Sequence, residues 1–382
     1  MLDAEQQRVL AQAIQRLAEA DRAKLDALRQ EVRSLRNSVR PIQPRTVTAI
    51  SLMATDGGEN VVQFDPYLLV PVRVVDSYGK PHFLDVLSPT MDIRQLNETQ
   101  FEQQTPLGIL MSDLEVRSLW ELSRFIPHPD TQNELPSRPR WWQVYRDLAE
   151  WAVLYQYITR NQFAADTLLV RDGFLRSLIF NGDLFARMWD RIREAVEQHY
   201  RRARRRLFVV GVAKRSKVLD RYHLALVMEG VLVQPGARYV RIPPAMEQQV
   251  YRWTQYGRLP DENTSEGSGY RVVGALYLAK FGPRRYDPIY PVDVWTYHLE
   301  RNEVDEVFSY LLADAQVGFP LAYYPLCLQK AHEQANLSGL EGDMLQQCVL
   351  DAIRAVMNSD EASALEAFRM QNRRGRRFSY GQ

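Results

Sequence analysis

Five side chains of this 382-residue chain stand where chemistry could be built. Asp56 lies in "ATDGG" and Asp172 in "VRDG", each a carboxylate closing an apolar, strand-like run. Glu150 lies in "YRDLAEWAVLY" beside an apolar helical face. Lys214 lies in "GVAKRSK" at the end of a further strand, and His332 in "KAHEQA" on a late helical stretch. Carboxylates grouped at strand ends can hold a divalent ion, because Mg²⁺ and Mn²⁺ prefer hard oxygen ligands. A histidine could complete the ligand set or orient a water, and a lysine could offset phosphate charge. Each residue also has an ordinary reading. Asp-Gly is a common turn pair. Glu150 could be a solvated helix residue, His332 a structural one, and Lys214 part of a solvated basic turn. An arginine, Arg171, stands directly before Asp172, where it could pair with that carboxylate or reach toward phosphate.

The elements that would bring these residues together interleave along the chain. Residues 2–38 lack Gly and Pro and are rich in Ala, Leu, Gln, Glu and Arg, which predicts one long helix. Its apolar pairs Ile14/Leu17, Leu25/Leu28 and Val32/Leu35 make a narrow stripe. Such a stripe suits packing on another helix or on the chain's own domain. "RPIQPR" (Arg40 to Arg45) ends the helix, because two prolines cannot continue it. A strand is expected from Thr46 to about Ala54, closed by a turn at Asp56-Gly57-Gly58, and a second β-rich run from Tyr67 to Gly79. Residues 80–137 are polar and proline-containing and read as an irregular insertion, with one helix around Leu114 to Phe125. Trp141 to Tyr157 is helical, with Val144, Leu148, Trp151 and Tyr155 three or four apart.

The strand ending on Asp172 follows, then a helix from Asp183 to Arg206. A strand from Leu207 runs into the basic turn at Lys217. A loop is expected at Leu259 to Gly269, with strands over Arg271–Phe281 and Tyr290–Trp295. Helices follow Arg301, and the end, "RRGRRFSYGQ", is a basic tail. This alternation predicts an α/β layered fold around a mixed sheet.

Composition narrows the function classes. Apolar residues make up 46% and charged residues 25%, enough to bury a core. Lys plus Arg number 48 against 47 Asp plus Glu, so any nucleic-acid surface must be local rather than global. Arg201, Arg202, Arg204, Arg205 and Arg206 cluster at one helix end, with Lys217 further on. Five arginines exceed what capping a helix dipole needs, so phosphate binding is expected there. Two cysteines, Cys327 and Cys348, form neither a disulfide framework nor a zinc motif. The polar start and the lack of a long apolar run give an expectation of a cytoplasmic protein.

As an ordered set, "TDGG", "RDLAE", "VRDGFL", "VGVAKRS" and "KAHEQA" resemble the NurA nuclease family, from about residue 46 to 340. The resemblance implies an RNase H-like mixed sheet with carboxylates at strand ends, flanked by helices. Asp56, Glu150, Asp172 and His332 would be metal ligands for Mn²⁺ or Mg²⁺, with Lys214 completing the catalytic set. Glu115 and Glu121 remain alternatives for the glutamate. Phosphodiester hydrolysis with two divalent ions about 3.5–4 Å apart would be the chemistry. The family resemblance also implies 5′-3′ exonuclease and single-strand endonuclease action, a homodimer, and a HerA-type hexameric ATPase as partner, in end resection or defence against foreign DNA. A catalytically silent subunit of such a complex is the alternative. Residues 1–40 would then form a dimer or partner contact, 46–340 the nuclease domain, and 341–382 C-terminal helices and the basic tail.

Overall fold

The computed structural model describes residues 3–44, 51–59, 62–64, 67–131, 141–251, 273–335, 340–355 and 357. Among these, ten strands form one mixed sheet: β1 (Arg40–Pro41), β2 (Ser51–Glu59), β3 (Val62–Phe64), β4 (Tyr67–Asp76), β5 (Pro81–Leu87), β6 (Thr167–Asp172), β7 (Leu207–Val212), β8 (Arg238–Arg241), β9 (Gly274–Lys280) and β10 (Ile289–Trp295). Their order in space is β1-β8-β9-β10-β7-β6-β2-β4-β3, with β5 paired to β4. The pairs β2–β6 and β6–β7 are parallel, and the other pairs are antiparallel. The parallel core follows from the helical crossover between β6 and β7. β6 reads "TLLVRD" without alternation and is buried along nearly its whole length, as a strand covered on both faces must be.

The helices are α1 (Ala4–Ala20), α2 (Arg22–Arg33), α3 (Ile93–Glu102), α4 (Pro106–Asp113), α5 (Leu119–Leu122), α6 (Trp141–Arg160), α7 (Leu184–Ala203), α8 (Lys217–Met228), α9 (Pro244–Val250), α10 (Thr296–Glu300), α11 (Val304–Gln316), α12 (Leu326–Ala335) and α13 (Leu340–Ala355). One face of the sheet, through Val72, Val74, Leu169 and Val209, packs on α3 to α7. The same face continues at Leu276 and Leu278 against α2, α8 and α9. The opposite face, through Leu168, Val170, Phe208, Val210 and Val212, packs on α11 and α12. This is the expected α/β class, a mixed sheet between two helical layers. On α6, Leu148, Trp151 and Tyr155 are almost wholly buried. Side chains of that size contribute about 1.5–3 kcal/mol each on burial, so α6 holds its rotation on the sheet and fixes where Asp147 and Glu150 point.

Several expectations need correction. The N-terminal helix is broken at Asp21, a poor helix former. α2 and the 3-10 turn that follows it (Ser34–Ser38) are held on α8 by Val32 and Leu35 and by Arg29, Arg33 and Arg36 around the buried Glu229. No residue of α1 is buried. Asp56-Gly57-Gly58 is not a turn, because β2 runs through it to Glu59, paired with β4. Residues 81–131 are not an irregular insertion. They form β5 and α3 to α5, and Leu96, Leu107, Leu110, Met111, Leu119 and Leu122 join the main core. Leu114 to Phe125 is not one helix, since only Leu119–Leu122 is helical. The start of the first strand before Ser51, the loop at 259–269 and the basic tail lie outside the described residues. No helix among the described residues is long and apolar enough to cross a membrane.

Candidate metal centre

Strand alternation sorts the site residues onto two faces. β2 and β6 run parallel with Thr55 beside Arg171, so Asp56 and Asp172 follow as neighbours one residue later. Both share the parity of Val170, which faces α12. α12 brings His332 over them, and its Nδ1 lies 2.7 Å from Asp56 Oδ2. Ligand atoms of Asp56, Asp172 and His332 all come within 4.8 Å of one another, a convergence that suits one divalent ion with two hard oxygens and an imidazole. Asp172 closes β6 because Gly173 then takes φ +107°, which β-carbon-bearing residues avoid. The turn and the placing of the Asp172 carboxylate are therefore the same structural event.

Burial raises the Asp172 carboxyl above its ordinary range, and the nearby Asp56 adds to this; Lys214, Arg171 and His332 oppose it. Lys214 Nζ is 3.6 Å from Asp172 Oδ2 and 5.7 Å from the ring centroid of Tyr324. Tyr324 is fully buried and was not singled out in the sequence. Its ring supports the lysine by a cation–π contact.

Residues of the opposite parity face α6. Arg171 turns away from Asp172's side chain. Its guanidinium donates to the carbonyls of Asp172 and Phe174 at 3.1 and 3.2 Å, to Asp147 Oδ1 at 2.5 Å and to Glu150 Oε2 at 3.3 Å. Its Cζ lies 4.2 Å from the Trp151 ring centroid. Glu150 is also 3.4 Å from Arg146 Nε, and it presses on Gly57, where an added Cβ would fall 2.4 Å from Glu150 Oε1. That contact, not a turn, is why glycine follows Asp56. Glu150 is buried, which lifts its carboxyl to about 8; Arg171 and Arg146 pull it down, while Asp147 and Asp56 push it up.

A cavity of about 890 Å³ opens beside both clusters. Its lining includes Asp56, Asp172, His332, Glu150, Arg215 and Lys217. The wall after Asp172 is pinned across β7 to β10. Leu175 N–H and the Arg176 guanidinium both donate to buried Asp293, and Arg176 also donates to Glu247. Glu121 accepts from the backbone N–H of Arg117 and Glu115 is exposed on a turn, so among the three glutamates considered Glu150 is the one that lines the cavity.

The arginine run is elsewhere. Arg201 to Arg206 lie at the beginning of β7, and Asp172 lies at the end of the adjacent parallel strand. A six-residue strand separates them by about 17 Å. Arg206 is engaged by Asp166 and Glu306, and Arg201 by Glu197. The run is close to Lys214 in sequence but not in space, because β7 runs the length of the sheet between them. The cations at the cavity mouth are instead Arg215 and Lys217, both exposed, at the start of α8. α8 itself was not expected. Arg171 had a readable signal, a charge inside an apolar strand, which requires buried partners. Asp147 and Glu150, three apart on one helix face, are those partners.

No family model matches the chain, and no curated protein matches it. Among solved structures, the chain is similar to the NurA nuclease from Sulfolobus solfataricus at 11% identity and a TM-score of 0.42, covering 91% of this chain and 98% of that one. It is also similar to NurA with manganese, at 14% identity and a TM-score of 0.39, covering 92% and 100%. NurA bound to dAMP and manganese aligns at 13% identity and a TM-score of 0.39, covering 92% and 99%.

Proposed function

We propose that this chain is a divalent-metal-dependent deoxyribonuclease of the NurA type, with Mn²⁺ or Mg²⁺ at Asp56, Asp172 and His332. The observation that carries the reading is the convergence of those three side chains at one sheet end, beside an open cavity. A divalent ion bound there would supply charge neutralisation on the phosphoryl group and a lowered pKa for water. The protein's own part is to hold two carboxylates and an imidazole in place. Lys214, steadied by Tyr324, offsets charge next to Asp172. Arg215 and Lys217 grip phosphates at the mouth. The test is a cleavage assay on labelled single- and double-stranded DNA with Mn²⁺ or with chelator. No cleavage of either substrate with Mn²⁺ would refute the reading.

The finer reading is 5′-3′ exonuclease and single-strand endonuclease action in the cytoplasm, with a HerA-type hexameric translocase feeding DNA for end resection or defence. The motif resemblance supports it. A homodimer is part of the same reading. Support comes from α1, on which Leu10, Ile14 and Leu17 are 49%, 56% and 67% exposed and make a bare apolar stripe suited to a second copy of the helix. Removing residues 1–20 should convert a dimer to a monomer in light scattering. A truncated protein that keeps the dimer mass would take α1 out of the interface.

Double replacement of Arg215 and Lys217 by Ala should flatten the slope of log affinity against log salt by up to about two units. Replacing Arg201, Arg202, Arg204 and Arg205 should leave that slope nearly unchanged. The reverse pattern would return the DNA path to the far end of β7.

A further inference from the structure

We infer that this chain binds one divalent ion rather than two, and that the guanidinium of Arg171 stands in for the second. The inference rests on the nuclease reading and concerns how its charge is supplied. A second ion could share one carboxylate with the first, but it would need at least one further acidic ligand. Besides Asp56 and Asp172, the acids lining the cavity are Asp147 and Glu150 on α6 and Asp220 in the first turn of α8. The α6 pair, the two that reach the β2–β6 end, is already engaged. Arg171 donates to each of them, and Arg146 approaches the other oxygen of Glu150.

Arg171 is not a mobile side chain that an ion could push aside. It is 7% exposed, it lies over Trp151, and while Nη2 donates to the two carboxylates, Nη1 donates to the carbonyls of Asp172 and Phe174. Those carbonyls belong to the turn that presents Asp172. The fork thus joins the ligand-bearing turn to α6 and places a permanent positive charge directly behind the ligand set. Strand alternation enforces the separation. Asp56 and Asp172 face α12, while Arg171 and Gly57 face α6, and Glu150 is packed onto Gly57. An ion set between Asp147 and Glu150 would meet two guanidinium groups at close range, and like charges repel strongly where water is scarce. The arrangement gives Arg171 the charge-neutralising part of a second ion without a second binding event.

The test is metal stoichiometry of the full-length protein, read with Mn²⁺ by calorimetric titration and by electron paramagnetic resonance. The expected result is one Mn²⁺ per chain with the six-line spectrum of an isolated ion. Two ions per chain, with the spectrum of a spin-coupled pair, would overturn the inference while leaving the nuclease reading intact. No bound ion would overturn both. Arg171→Gln should free Asp147 and Glu150 and add a second, weaker site, whereas Arg171→Lys, which keeps the charge, should stay at one. A folded Arg171→Gln protein that still takes a single ion would remove Arg171 from the role. Should that variant fail to fold, the wild-type stoichiometry alone decides.

Discussion

Asp172→Asn should reduce cleavage by at least about 10²–10³-fold, the scale of losing a preorganised charge at a reacting centre, while the protein stays folded. Asn keeps the size of the side chain and serves about as well before Gly173 in the turn. It loses the negative charge that a hard divalent ion requires. Without metal, the variant should melt at the same temperature or slightly higher. Asp172 is half-buried beside Asp56, and its carboxyl is pushed up by desolvation and by that neighbour. Removing one charge relieves part of the repulsion, while the contact to Lys214 at 3.6 Å is a long one and returns little. With Mn²⁺ present, the wild type should gain stability by mass action and the variant should gain much less. Thermal melts with and without Mn²⁺, run beside the cleavage assay, check both halves. Near-wild-type cleavage by a folded Asp172→Asn protein would sink the assignment of this residue.

The parts of the fold that were legible in the sequence are those where one period dominates. "TLLVRD" is apolar without alternation and is the central strand; Trp141 onward repeats every three or four residues and is α6. Asp56, Asp172 and His332 were legible as a set, and so was Lys214 beside them. Two kinds of difference between the sequence reading and the structure have physical causes. The first is local. "TDGG" carries turn residues, yet Gly57 is there because Glu150 leaves no room for a β-carbon. Likewise, residues 81–131 look irregular because α3, α4 and α5 are short. Their N-caps, Asp92, Thr105 and Ser118, were the overlooked signals. The second is directional. Arg201 to Arg206 and Lys214 are close in sequence but at opposite ends of β7, and nothing in a one-dimensional reading says which end of a strand faces the site. Arg171 falls between the two. Its oddity was visible, but its partners could be named only once α6 was seen to lie across β2 and β4, beside the end of β6.

Glu150→Gln should stabilise the metal-free protein increasingly as pH rises from about 5 to 9. The Glu150 carboxyl is lifted to about 8 from an ordinary value of 4.5, chiefly by burial. Between those pH values the folded protein keeps a proton that the unfolded chain has released. A carboxyl raised on folding therefore contributes its full stability below pH 4.5, and that stability drains away as pH climbs to about 8. Gln cannot ionise and carries no such dependence. The gap between variant and wild type should be small at pH 5 and reach a few kcal/mol by pH 9, about 1.4 kcal/mol for each unit by which the group is raised, less whatever Arg171 and Arg146 recover. The opposing force is the ion pair itself. If attraction to the two arginines outweighed burial, breaking a buried pair would cost about 3–5 kcal/mol, and Gln would be the less stable form at pH 7 to 9. Burial wins in this site because Arg171 divides its donors among Asp147, Glu150 and two carbonyls, and its contact to Glu150 is 3.3 Å against 2.5 Å to Asp147. Thermal melts of both proteins in chelator across pH 5 to 9 decide between the two. A variant that melts below the wild type at pH 8 to 9 would mean that Glu150 is held as a carboxylate by its arginines.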